Sequence, residues 1–144
     1  ADFMQAYGEG GLRALSLGRL ENLARLYWYT IEFGLIREAG ALRLFGAGIM
    51  SSPTEAMFAL EDPSPNRIQF DLERVMATDY RIDDFQQSYF IIDSFDDLRK
   101  AAMQDFGPLY KRLEDGEAYA PDDLAPADKV THFGTQRYFK AKAA

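Results

Sequence analysis

A chain of 144 residues, 47% hydrophobic and 14% aromatic, is long enough for one domain with a buried core. Its net charge of -7 disfavours a nucleic-acid partner, whose phosphates need clustered Lys and Arg, and the absence of cysteine excludes disulfides, thiolate metal sites and Cys-His catalysis. With no export signal that composition suits a reducing cytoplasm, and no apolar run approaches the roughly 20 residues needed to span a bilayer as a helix.

In chain order, Phe3, Met4 and Tyr7 are helically spaced, so the chain is expected to open in mid-helix, without an initiator methionine, as a piece of a longer protein. Gly8-Glu9-Gly10-Gly11 reads as a turn. Leu20, Leu23, Ala24, Tyr27, Ile31 and Leu35 then recur at three- and four-residue spacing, which predicts one helix from Gly18 to about Glu38, ended by Gly40. Glu32 stands out within it. Trp28 and Tyr29 lie four and three residues before it and Leu35 and Ile36 three and four after, so its carboxylate emerges between large apolar groups. An ionised carboxylate there must be paired, protonated, hydrogen-bonded or bound to a metal. A salt bridge to Arg25 or Arg37 and a ligand role both meet that requirement.

Leu42-Arg43-Leu44-Phe45 alternates like a short strand and runs into Gly46-Ala47-Gly48, where two glycines let another group approach the backbone, as a tight turn or bulge also would. Ser52-Pro53-Thr54-Glu55 is a capping box, with Ser52 as N-cap, Pro53 first in the helix and Glu55 reaching back. A loop over Asp62 to Asn66 precedes a strand-like Ile68-Gln69-Phe70-Asp71-Leu72, and Tyr89-Phe90-Ile91-Ile92 is a second β-rich run able to pair with it or with residues 42 to 45. Between them, Asp79 to Phe85 carries three acids but no dense oxygen-ligand loop, which reads as a solvated or salt-bridged segment. Ser94-Phe95-Asp96-Asp97 is a second capping box, opening a helix with Leu98, Ala101, Ala102 and Phe106 on one face, interrupted or ended by Pro108. After Leu113 the chain turns acidic and rich in breakers. Residues 1–113 are therefore expected to form the folded part and 114–144 a loosely structured tail.

Leu23-Ala24-Arg25-Leu26-Tyr27-Trp28-Tyr29-Thr30-Ile31-Glu32-Phe33-Gly34-Leu35, followed by Phe45-Gly46-Ala47-Gly48-Ile49-Met50-Ser51-Ser52-Pro53-Thr54-Glu55, closely resembles the aromatic amino acid hydroxylases, the iron- and pterin-dependent monooxygenases, on their bacterial phenylalanine-hydroxylating branch. Phe70 to Met76, Asp79 to Gln86 and Tyr89 to Phe95 keep the family's order and spacing, with Gly134-Thr135-Gln136 a faint later echo. The resemblance implies part of a catalytic domain that is mainly α with a small β-sheet. It implies hydroxylation of L-phenylalanine to L-tyrosine with dioxygen, ferrous iron, Fe(2+), and tetrahydrobiopterin as reduced pterin. Glu32 matches the family's iron-ligating glutamate. The two histidine ligands of a His-Asp-x-x-Gly-His-type motif would precede residue 1, and the single histidine, His132, matches neither.

By the same resemblance Trp28 and Phe33 wall the substrate ring, Gly48 gives it room, and Ser51 supports an iron-bound histidine near the substrate's polar end; core packing and capping are the ordinary roles of such residues. Ala24 and Tyr27 match positions facing the pterin. The implied partner is the upstream part of the same domain, in a cytoplasmic protein that is monomeric if bacterial. Alternatives are a noncatalytic ligand- or partner-binding remnant of the fold, a fragment that only complements the missing half, and a hydroxylase acting on tryptophan.

Overall fold

The computed structural model describes residues 20–143; the helix end and turn expected over residues 1–11 lie outside them. Helix α1 (Leu20–Tyr27) passes into a single π-helical turn (Trp28–Glu32). After Gly34 come strands β1 (Leu35–Glu38) and β2 (Ala41–Leu44), a short helix α2 (Ala47–Met50) and helix α3 (Pro53–Glu61). Strand β3 (Asn66–Gln69), helix α4 (Leu72–Met76), strand β4 (Ser88–Ile92), helices α5 (Phe95–Ala102) and α6 (Phe106–Glu114), strand β5 (Val130–His132) and helix α7 (Arg137–Ala143) complete the described chain. The expected architecture, mainly α with a small sheet, is what forms.

The sheet has the order β2-β1-β4-β3-β5, with β4 parallel to both β1 and β3 and the outer pairs antiparallel. A strand covered on both faces needs apolar residues at every position, not at alternate ones. Tyr89 and Ile91 accordingly point into a cluster with Leu35, Ile49, Phe58 and Phe139, while Phe90 points the other way, into one with Leu23, Leu26, Ile68, Val75 and Leu109.

The single helix expected from Gly18 to Glu38 is broken. It ends at Glu32, and Leu35 and Ile36, the run's last apolar pair, are consecutive buried residues of β1. Phe33, not Gly40, caps the helical end, and the next residue is a glycine in a place where a side chain would collide with the Phe45 ring. Ala39 and Gly40, with φ of 51° and 80°, form the tight turn between β1 and β2, a conformation suited to right-twisted hairpins.

Both capping boxes place the serine hydroxyl as expected, Ser52 accepting from Glu55 N–H and Ser94 from Asp97 N–H. Glu55, however, does not reach back. The Ser52 N–H already donates to the Ile49 carbonyl, and the Glu55 carboxylate instead turns inward. Pro108 ends nothing: it sits in the first turn of α6, where its missing N–H has no partner to lose.

The expected loose tail is docked. Strand β5 pairs with β3, and Arg74, whose side chain is 5% exposed, gathers the preceding loop. Its guanidinium donates to Asp128, Thr78 and the Asp123 carbonyl and lies 4.2 Å from the Tyr119 ring centroid. Helix α7 buries Phe139 and clamps the loop before β4. Tyr138 stacks on Phe85 and donates to Asp84, which also pairs with Lys142. Composition missed this because the anchors are isolated residues in a polar background.

Candidate functional site

The π turn places the site. Thr30 Oγ1 donates to the Leu26 carbonyl at 2.6 Å, competing with the backbone ladder, and the ladder slips: Phe33 N–H donates to the Trp28 carbonyl, five residues back, at 2.9 Å. Glu32 is the last residue of the widened turn, and the chain leaves it towards β1.

Glu32 is half-buried and, among the described residues, has no hydrogen-bond or salt-bridge partner. The ion pair that would have explained it is absent: Arg25 instead bonds Glu21 at 2.6 Å and Asp79 at 2.5 Å, and Arg37 makes no salt bridge to Glu32. The close approach expected at Gly46-Ala47-Gly48 is made by Glu32. A methyl on Gly46 would collide with the Glu32 carbonyl, and one on Gly48 would lie 2.9 Å from Glu32 Oε2 and 3.2 Å from Phe33 Cζ.

Trp28 lies on the same turn. Its ring stacks on Tyr80 with centroids 4.5 Å apart and meets Phe33 at 4.7 Å, tilted by 39°. Trp28, Phe33 and Tyr80 are all half-buried, so this aromatic corner keeps an accessible side. Ser51 is exposed and donates to the Gly48 carbonyl at 3.0 Å, which ties it to the same glycine. Glu32, Trp28, Phe33, Gly48 and Ser51 therefore come together. Ala24 and Tyr27 sit one to two turns earlier along α1, half-buried.

Behind the corner is a buried polar chain. Trp28 Nε1 donates to Gln86 Oε1 at 3.0 Å, and Gln86 Nε2 donates to the Arg81 carbonyl at 2.9 Å. The Gln86 N–H and the Tyr89 hydroxyl both donate to Glu55 Oε2. Burial pushes the Glu55 carboxyl above its ordinary value, outweighing these two donors. Burial also raises the Tyr89 hydroxyl, so it serves as a neutral donor.

Tyr80, Gln86 and the true role of Glu55 were not foreseen. Tyr80 lies in the stretch from Asp79 to Phe85 read as solvated or salt-bridged, and Gln86 directly follows it; the acids of that stretch are paired as read, Asp79 with Arg25, Asp83 with Arg81 and Asp84 with Lys142. The signal was a phenol and a carboxamide, uncharged polar groups within and directly after that run of acids.

A family model described as biopterin-dependent aromatic amino acid hydroxylase matches residues 1–119. The chain belongs to that family. Among curated hydroxylases it is 61% identical over 141 residues to phenylalanine-4-hydroxylase of Caulobacter vibrioides, covering 98% of this chain and 48% of that protein. It is 35% identical over 100 residues to the mouse phenylalanine-4-hydroxylase, covering 22% of that protein. The solved phenylalanine hydroxylase of Chromobacterium violaceum bound to cobalt superposes with a TM-score of 0.87 at 53% identity, over 90% of this chain and 47% of that one. The chain thus spans about half the length of the bacterial hydroxylases it matches.

The family is biopterin-dependent. Among the described residues of this chain no three His, Cys, Asp or Glu side chains converge, and His132 Nε2 is hydrogen-bonded to the Pro63 carbonyl. Glu32 Oε2 lies against Gly48, and a carboxylate oxygen is a hard anionic donor of the kind that could hold a ferrous ion. No described helix is long and apolar enough to cross a membrane.

Proposed function

We propose that this chain is the half of a phenylalanine hydroxylase that carries the iron-binding glutamate and the substrate cage, the two histidine ligands and most of the pterin site being supplied by the remaining half. Glu32 carries the reading. A carboxylate left without a partner among the described residues, beside Gly48 in an apolar corner, is costly without a cation, and of the two arginines flanking it Arg25 is engaged elsewhere and Arg37 makes no salt bridge to it. That the Chromobacterium violaceum enzyme has been solved bound to cobalt supports a metal-binding reading.

When bound, ferrous iron and the reduced tetrahydrobiopterin supply the activation of dioxygen. Glu32 holds the ion with a charge-neutralising oxygen. Trp28, Phe33 and Tyr80 present ring faces that hold the phenyl group of L-phenylalanine by offset and edge contacts and keep water away from it. Gly48 leaves space for carboxylate and ring together. Ser51, exposed at the rim, orients an incoming histidine of the other half or the substrate's amino-acid group, and Ala24 and Tyr27 border the pterin. A cysteine-free chain of this kind suits the cytoplasm.

In the intact enzyme, Glu32→Gln keeps the shape and removes the anion. The expected result is an unchanged thermal midpoint without metal, with ferrous-ion affinity and tyrosine formation reduced on the order of a hundredfold or more. Unchanged iron affinity with lowered stability would make Glu32 a structural residue and overturn the reading.

A further inference from the structure

We propose that Gln86 is a positioning residue of the substrate cage, its carboxamide oxygen setting the angle at which the Trp28 indole faces the ring of the substrate. The proposal rests on the reading of Trp28 as a cage wall. Gln86 is 1% exposed, yet lies in a loop whose acids are mostly exposed or half-exposed. Its amide has only one satisfactory orientation: the indole N–H is a donor alone and the Arg81 carbonyl an acceptor alone, so the oxygen must face Trp28 and the nitrogen Arg81.

The backbone beneath is held as firmly. Gln86 N–H donates to Glu55 Oε2, which also accepts the Tyr89 hydroxyl at 2.6 Å, so α3 and β4 both fix the residue. Stacking on Tyr80 sets the plane of the indole but leaves it free to slide and rotate within that plane. The hydrogen bond at its edge removes that freedom. A glutamine buried so completely, aimed at the exposed corner's largest ring, is a support for the ring more than a member of the core.

The test is made in the intact enzyme loaded with iron, with the kcat/KM ratio for phenylalanine over tryptophan as readout; a merely structural role lowers both constants together. Trp28→Phe is expected to move the ratio toward tryptophan. Gln86→Met, which keeps the length and removes the oxygen, is expected to shift it by about threefold or more, and to add no further shift when placed on top of Trp28→Phe, since the bond it breaks is already gone. If Trp28→Phe shifts the ratio and Gln86→Met does not, or if Gln86→Met shifts it equally in both backgrounds, the role assigned to Gln86 is wrong while the cage stands. If Trp28→Phe itself leaves the ratio unchanged, the cage reading falls and this proposal with it. Should Gln86→Met fail to fold, Gln86→Asn, which keeps a carboxamide but draws its oxygen back by one methylene, takes its place with the same outcomes.

Discussion

Glu32 and Arg74 are both charged side chains that helical segments carry in among apolar neighbours, and the fold treats them in opposite ways. Arg74 is closed in. Its guanidinium donates to Asp128, Thr78 and a main-chain carbonyl and lies beside Tyr119, and Asp128 in turn accepts from the Ala125 N–H. Glu32 has none of this among the described residues, and Gly48 on α2, lacking a side chain, leaves room for its carboxylate. The first arrangement spends its hydrogen-bonding capacity on joining α4 to the loop between α6 and β5. The second withholds it, which supports the proposal that the Glu32 carboxylate takes up a ligand there.

That contrast breaks most severely at Arg74. Arg74→Met leaves Asp128 as a buried, uncompensated carboxylate and is expected to cost about 3–5 kcal/mol in urea unfolding, with iron content per folded molecule unchanged. An equal loss of iron from the folded fraction would show that the two regions are not separable. Gly48→Ala probes the open side. Because the added methyl meets Glu32 Oε2 at 2.9 Å, the carboxylate has to move, so ferrous-ion affinity is expected to fall about tenfold while stability stays within ~1 kcal/mol. Titration of the variant with ferrous ion, alongside thermal melting, separates the two quantities.

The smallest effect concerns Glu55, an acid intermediate between the two. It is buried and hydrogen-bonded yet pairs with no cation among the described residues, and burial holds its carboxyl above the ordinary 4.5. The folded state therefore binds this proton more tightly than the unfolded chain, so the residue lowers stability as pH rises above 4.5 and through its raised value. Glu55→Gln keeps an acceptor for Tyr89 and Gln86 and removes the titration. Its urea midpoint relative to the parent is expected to rise between acid and neutral pH and then level off; a difference independent of pH would show that Glu55 is not the titrating group.

The sequence by itself determined a good deal. The family motif placed Glu32, Trp28, Phe33, Gly48 and Ser51 in one constellation, and the structure brings those five together because Trp28 and Glu32 lie on the π turn and Gly48 on α2, with Phe33 and Ser51 immediately after those two segments. The serine caps and the runs that became β2 and β4 were legible for the same reason, each being decided by residues within a few positions of one another, whereas the run over 68 to 72 meets β3 only at Ile68 and Gln69 and its Leu72 opens α4. What remained hidden was decided at a distance. Leu35 and Ile36 continue a helical spacing, and only pairing with β2 and β4 makes them a strand. Residues 114–144 have a tail's composition, and single anchors, Asp128 to Arg74 and Phe139 in the core, dock them. Gln86 sits 58 residues from the indole it holds. Period and composition report local preference, while a strand partner, a buried ion pair or a hydrogen bond across the fold exists only once the tertiary structure has brought both of its ends together.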